Sequence, residues 1–228
     1  MGVKDLDLRV EPVAAPVRAR LVDALRKAIL DFHLKPGDRL IEREICEQSG
    51  VSRTSVREAL RQLETEGLIT SIPNRGPVVA SLTASEARDI YELRAVLEGL
   101  AARKCAELAT GSEVAGLRKA VEGFRKAVRS KDPRALIAGK TIFYDLLMSA
   151  ARNDALDAAL RKLHGRATLL RALSMSQPGR VDSSAAELEA IVEAIARRDA
   201  DAADRASREH IDKAAAIALA VLGKPAAG

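Results

Sequence analysis

Leu40-Ile-Glu-Arg-Glu-Ile-Cys-Glu-Gln-Ser-Gly-Val-Ser-Arg-Thr-Ser-Val-Arg-Glu-Ala-Leu-Arg-Gln-Leu-Glu64 decides how the chain is read. It divides into two short helices around a Gly50 turn. The second helix opens on small hydroxyl residues and arginines: Ser52, Arg53, Thr54, Ser55 and Arg57. Small side chains let a helix end enter a DNA groove, hydroxyls bond phosphates, and Arg reads guanine edges with two parallel donors. Ser52 is a natural N-cap, and Gly50 suits the C-terminal cap of the helix before it. Val56, Leu60 and Leu63 share one face of the second helix. Thr54, Ser55, Arg57, Glu58 and Arg61 share its polar arc.

Upstream, Pro16 to Phe32 carries Val17, Leu21, Ala24, Leu25, Ala28 and Ile29 at helical spacing, which predicts an amphipathic helix. Pro36-Gly37 breaks it, and Leu40-Ile41 is expected to form a short bridging strand. Downstream, Gly67 ends the recognition helix. Leu68–Ile72, the turn Pro73-Asn-Arg-Gly76 and Val78–Ala80 then read as a hairpin, with β-branched residues on both sides of the turn. Three helices followed by a small hairpin make a winged helix-turn-helix. Arg75 and Gly76 fall at the wing tip. Glycine permits close backbone approach there, and Arg can enter the adjacent minor groove.

The pattern changes at Ser81. Thr83-Ala-Ser-Glu86 is a capping box, and helices are predicted over 84–109, 113–130, 133–151, 154–174, 184–197 and 200–222. Thr110-Gly-Ser-Glu113 and Ser184-Ala-Ala-Glu187 read as further capping boxes. Asp132-Pro133 reads as an N-cap with Pro in the first helical position. Short loops imply antiparallel neighbours. The expected fold is mostly α: an N-terminal winged helix-turn-helix plus a C-terminal all-α antiparallel helical bundle. The domains are set at 15–80 for the winged helix-turn-helix and 84–222 for the helical bundle. Residues 81–83 link them, and 1–14 and 223–228 are expected to be flexible ends.

Composition bounds the alternatives. The chain has 228 residues, 47% hydrophobic and 30% charged, enough to build packed cores. Aromatics make up 2%, so Leu, Ile, Val and Ala must fill those cores, and single-strand binding by base stacking is disfavoured. Cys46 and Cys105 form no CxxC pair, so two reduced cysteines in a cytoplasmic protein are expected. No apolar run or signal-peptide pattern points to a membrane. Net charge is +5, yet residues 1–82 hold 13 basic and 12 acidic residues. Total charge therefore does not single out a DNA-binding half. The acid-free run from Val51 to Arg57, with its two arginines, does so locally.

Enzyme readings are thin. Gly139-Lys-Thr141 shares the end of a phosphate loop, but Arg134 stands where that loop needs Gly and no strand precedes it. No nucleophile and base are placed together. A helical protein-binding adaptor would account for residues 84–222 but leaves the arginine-hydroxyl helix and wing unexplained.

Pro36-Gly-Asp-Arg-Leu40, Glu42-Arg43, Val51-Ser-Arg-Thr-Ser-Val-Arg-Glu-Ala-Leu60 and Leu63-Glu-x-Glu-Gly-Leu68 together resemble the N-terminal domain of GntR-family transcription regulators. Tyr91-Glu-Leu-Arg-x-Val-Leu-Glu98, followed by helices only, resembles the FadR-type subgroup with its helical effector domain (FCD-like). The resemblance implies a cytoplasmic homodimer on double-stranded operator DNA, most often a repressor, controlled by a small-molecule metabolite. It assigns effector binding and dimerisation to 84–222. It implies DNA contact from Arg43, Ser52, Arg53, Thr54, Ser55, Arg57 and Gly76. Arg53 and Arg57 are the expected base readers, and Ser52, Thr54 and Ser55 the phosphate contacts.

Many domains of the subgroup hold a divalent metal with Asp-x-x-Phe-His and two later histidines. Here Lys140-Thr-Ile-Phe-Tyr144 puts Lys140 for Asp and Tyr144 for the first His. Leu188 stands for the second His, and only His210 is kept. One imidazole falls short of the three protein ligands such an ion needs, so no metal or other cofactor is expected. The expected effector contacts are Arg94, Tyr144 and His210. Arg94, among Tyr91, Leu93, Val96 and Leu97 that read as buried, either pairs with a helix carboxylate or faces an anionic effector. His210 is either a pocket donor or a core histidine.

Overall fold

The computed structural model describes residues 15–30, 33–130 and 133–223. The expected flexible end at 1–14, all of the expected tail 223–228 but Gly223, and the expected N-cap Asp132 lie outside them. The chain divides between Val79 and Ala80 into two compact units.

The first unit runs α1 (Ala15–Leu30), α2 (Glu42–Ser49), α3 (Arg53–Thr65), β1 (Ile69–Ile72) and β2 (Gly76–Val79). The strands pair antiparallel, with Ile69 opposite Val79 and Ile72 opposite Gly76. Arg39, not Leu40-Ile41, makes the bridge to Val78, because the Leu40 amide donates to the Pro77 carbonyl and the Val79 amide to the Asp38 carbonyl, each at 2.9 Å, on either side of that pair. Gly50 closes α2 in the left-handed region at φ 67, the position a side chain would strain. Ser52 caps α3, accepting a hydrogen bond from the Ser55 amide. Val56, Ala59, Leu60 and Leu63 form the buried face of α3 and meet Leu21, Val22 and Ile29 of α1. The buried stripe of α1 is thus narrower than the sequence predicts. Val17 and Ala24 are exposed, and Val22 takes their place inside. Arg26 clamps α1 to the end of α3, with Nη2 2.8 Å and Nε 3.1 Å from the Glu66 carboxylate.

The second unit contains α4 (Ala84–Leu108), α5 (Gly111–Ser130), α6 (Pro133–Ala151), α7 (Asp154–Met175), α8 (Arg180–Ala196) and α9 (Ala200–Leu222). The Thr83 and Glu86 capping box is complete, and Thr110 and Glu113 make the same reciprocal bonds. The expected start of α8 is corrected. The helix begins at Arg180, so Ser184 lies inside it, fully buried, and Glu187 is not a capping residue. Packing of α4 on α9 is close: a Cβ at Gly99 would sit 2.2 Å from Asp204 Oδ1. One apolar cluster gathers Phe124, Phe143, Leu147, Leu188 and Ile195. A smaller one joins Ile90, Tyr91, Leu170 and Ile211. The first and last helices of the unit, α4 and α9, pack most extensively, with α5 on α6 and α8 on α9, whereas α4 and α5 touch little despite their short loop.

Leu63 is fully covered in the first unit. Leu63→Ala is expected to destabilise that unit by about 2–5 kcal/mol. The chain has no Trp, so the shift in urea midpoint is read by far-ultraviolet circular dichroism.

Candidate functional site

The first unit presents α3 and the hairpin with cationic groups outward. Arg53, Thr54, Arg57 and Arg61 are exposed, and Ser55 is half-buried. Arg53 has no partner among the described residues. Arg57 does: its Nε lies 2.8 and 3.0 Å from the two oxygens of Glu42, while its side chain stays 61% exposed. The guanidinium is therefore outside the protein but held by a carboxylate, which the sequence did not indicate. Arg43 is 71% exposed and lies 3.7 Å from Glu47. Ser52 has a second task, because its hydroxyl caps the Ser55 amide at 3.3 Å and donates to the Ser55 hydroxyl at 3.1 Å. The wing tip is tight, with Asn74 at φ 61 and Gly76 at φ 81. Arg75 is exposed there and reaches the Gly37 carbonyl at 3.3 Å. Arg53, Thr54 and Arg57 thus crowd the start of one helix, and Arg75 stands on the hairpin. Exposed cations at these two places can meet phosphates and base edges of a duplex.

The second unit buries charge at its centre. Arg94 and Glu98, one turn apart on α4, pair with Nε 2.7 Å from Oε1, both side chains 2% exposed. Burial opposes the charge on Arg94, yet the Glu98 carboxylate, together with Tyr144 and Tyr91, outweighs it and raises the guanidinium's affinity for its proton. Arg94 also stands over the Tyr91 ring, and Arg171 of α7 over the Tyr144 ring at 4.3 Å. Burial, then repulsion from Arg94, lowers the pKa of Arg171. Burial, then the Glu98 charge, pushes the Tyr144 phenol up. The expected burial of Leu93 and Val96 is corrected: they are 47% and 51% exposed. Their stripe of α4 faces away from the one that carries Arg94.

A cavity of about 40 Å³ opens onto this cluster, lined among others by Arg94, Glu98, Tyr144 and Arg171, with Asp145 and Arg161 also in its wall. The structure brings Arg94 and Tyr144 together here but separates His210, which does not line it. His210 instead joins a second buried group. Its Nε2 lies 3.1 Å from Lys140 Nζ, and its Nδ1 lies 2.5 Å from Glu187 Oε2, which also accepts from Arg180 at 2.8 Å. Burial, then the Lys140 charge, brings the His210 pKa down to about 3. The neutral ring therefore donates through Nδ1 to Glu187 and accepts at Nε2 from the Lys140 amine. Burial, then Arg180, Arg171 and Arg94, sets the Lys140 amine well below its ordinary value. Both nitrogens of the retained histidine are engaged, one of them by a lysine. Leu188 is fully buried in the apolar cluster. This donor set does not fit a divalent ion.

Sequence reasoning offered Arg94 a helix carboxylate, which Glu98 supplies, but did not name it, and missed Arg171, Arg180 and Glu187. The four-residue spacing of Arg94 and Glu98 was a usable signal. Nothing local marked the other three.

Residues 17–79 match the bacterial regulatory proteins of the gntR family, and residues 89–213, more than half of the chain, match the FCD domain. The uncharacterized HTH-type transcriptional regulator YdhC of Bacillus subtilis is 28% identical over 198 residues, 86% of this chain and 88% of its own length. The HTH-type transcriptional repressor RspR of Escherichia coli is 27% identical over 198 residues, 87% of each chain. The solved structure of E. coli McbR/YncC superposes with a TM-score of 0.73 at 22% identity, covering 89% of this chain and 96% of that one. At that identity the superposition speaks for the fold.

Below pH 6.5 an unfolded His210 takes up a proton that the folded ring resists down to about pH 3. The unfolded state then binds more protons, so stability falls as pH drops through that window. Glu187, whose pKa is lowered by His210 and Arg180 despite its burial, adds a loss of the same sign at the acid end. Melting temperature should decline from pH 6.5 toward pH 4, and His210→Gln should flatten the upper part of that decline.

The chain belongs to the GntR family of bacterial regulatory proteins, in the branch that carries an FCD domain: it is a DNA-binding transcription regulator whose helical C-terminal domain is the effector-binding part.

Proposed function

We propose that the protein is a dimeric repressor that releases its operator when a small anionic metabolite enters the C-terminal cavity, and that it works in the cytoplasm by binding, without catalysis and without a metal. The observation that carries the reading is the pairing of two sites in one chain. One unit has an outward cationic helix start and wing. The other has a buried cationic cluster open to a cavity. Repression is supported by the relative RspR, which bears the name of a repressor. A soluble location is consistent with the helices, none of which among the described residues is long and apolar enough to cross a membrane.

Arg53, Arg57 and Arg75 are the proposed readers of the duplex, with Arg43, Ser52, Thr54 and Ser55 setting register on phosphates and Gly76 letting the wing backbone approach. Arg53 is ready as it stands. Arg57 reaches DNA by exchanging Glu42 for a base edge or phosphate. The metal-free reading is supported by the Lys140 amine against His210. That amine already takes the His210 Nε2 lone pair and the room that a divalent ion would need. The effector acts by differing in affinity for two arrangements of the dimer. Exposed Leu93 and Val96 on α4 and Ile142 on α6 offer apolar surface for the dimer contact.

Arg53→Ala and Arg57→Ala are each expected to weaken operator binding by about 1–3 kcal/mol while leaving the fold intact. Gel shifts against the operator and a scrambled duplex check this. Unchanged binding in both variants overturns the assignment. Sedimentation at micromolar concentration without DNA should show a dimer, and a strict monomer removes that part of the reading.

A further inference from the structure

Four apolar side chains form a stripe along the outer side of α4: Leu93, Val96, Leu97 and Leu100. Leu93 and Val96 are 47% and 51% exposed, and Leu97 and Leu100 are half-buried. Spacings of three and four residues put them on one helical face. Charge frames the stripe unevenly. Asp89 and Glu92 flank its N-terminal end, both exposed and with no hydrogen bond or ion pair among the described residues. Arg103 and Lys104 flank its C-terminal end, each partly exposed. Glu107, just beyond them, is held by Lys104 at 3.6 Å.

We infer that this stripe is the centre of the contact between two copies of the chain, with α4 packed antiparallel on α4 of the second copy about a twofold axis that passes between Val96 and Leu97. The inference rests on the dimeric reading and names the face that carries it.

The register follows from the axis. Val96 and Leu97 each meet their own copies, and Leu93 meets Leu100 of the partner subunit. The same register brings Asp89 within a residue of Arg103 of the partner subunit, with Glu92 beside it, and the twofold repeats the pair at the far end. Asp89, Glu92 and Arg103 lie on the same side of the stripe, as a twofold antiparallel seam requires. Arg103 also holds Asp201 of α9 in its own chain, which steadies the guanidinium at the seam. A face that is acidic at one end and basic at the other is its own complement once turned end for end, and an isologous contact needs that property. A parallel pair would set acid on acid. A foreign helix would have to repeat the whole pattern in reverse.

The rival face lies between α5 and α6, where Ile142 is 53% exposed beside a groove lined by Gly116, Gly123 and Gly139. Its lining includes Lys119 and Lys126 and, among the described residues, no acid. Lys126 is paired with Glu122, and a second copy of that face brings only further lysine to Lys119. Charge therefore favours α4. From Asp89 to Arg103 the face runs roughly 21 Å at the helical rise. A stable dimer takes about 800 Å² from each partner, so the stripe is the apolar centre of the contact, with the charged pairs at its rim.

The test is sedimentation velocity of the full-length protein at micromolar concentration without DNA. The wild type should be a dimer. Val96→Glu, which sets two carboxylates against each other at the axis, should be a monomer with an unchanged circular dichroism spectrum. Asp89→Lys should loosen the dimer about tenfold or more, and adding Arg103→Glu should recover most of that loss. In a Cys46→Ser background, Val96→Cys should be joined into a covalent dimer by a short bis-maleimide, and Ile142→Cys should not. Where Val96→Glu fails to fold, the two cysteine variants decide. The inference is overturned, and the dimeric reading kept, if Val96→Glu remains a dimer, if the second charge reversal rescues nothing, or if Ile142→Cys is joined in place of Val96→Cys. A Val96→Glu protein of unchanged mass with a lowered melting temperature would show the stripe packed within its own chain, which also overturns it. A wild type that sediments as a monomer ends the dimeric reading and this inference with it.

Discussion

A guanidinium removed from water is costly without a carboxylate beside it, and the Arg94–Glu98 pair on α4 sets what the surrounding helices can place at the centre of the second unit. The two residues sit one turn apart, so the pair forms when α4 forms. Its neighbours must then tolerate charge in a poorly solvated space. Tyr91 and Tyr144 offer ring faces, and Arg171 and Lys140 arrive from α7 and α6. Taking one partner from such a buried pair costs about 3–5 kcal/mol, although the intact pair adds little net stability. A cluster of this kind is poor support for stability, which fits the effector role proposed for it. Its donors exceed its internal acceptors, and apolar residues of equal volume would have packed the space more simply.

The same economy of polar groups runs through the first unit. Ser52 satisfies the start of α3 and shares a hydrogen bond with Ser55. The helix end is therefore ordered before any duplex arrives. The hydroxyls that would hold phosphates are already directed by capping geometry. Preorganised donors at a helix start suit anionic ligands, because the unpaired backbone amides there carry partial positive charge.

The winged unit was almost fully legible in the sequence, since each of its decisions is local. Gly50 requires a left-handed turn, Ser52 caps, and the apolar stripe of α3 fixes its buried side. The edges that failed are informative. Ser184-Ala-Ala-Glu187 has the spacing of a capping box, yet α8 already runs through it. Glu187 is drawn instead toward Arg180 and His210, partners 7 and 23 residues away. Leu93 and Val96 were misplaced because α4 is apolar on several sides, and periodicity alone does not say which side meets α9. The retained His210 was legible as a residue but not as a role. Its partnership with Lys140 depends on how α6 and α9 meet, seventy residues apart in the chain. Pairings between helices carry no local mark, so the cavity's chemistry appeared only in three dimensions.

Glu42 holding Arg57 has a consequence for searching a genome. If Arg57 reads the duplex as proposed, each encounter begins with the same exchange, carboxylate for nucleic acid, whatever the local bases. A wrong site offers the guanidinium a phosphate at best, little better than the partner it leaves. A correct site offers two aligned acceptors on a guanine edge and recovers the exchange with a surplus. An internal competitor of this kind lowers residence on random sequence more than on the target. It shifts the ratio that matters when competing sites vastly outnumber the true ones.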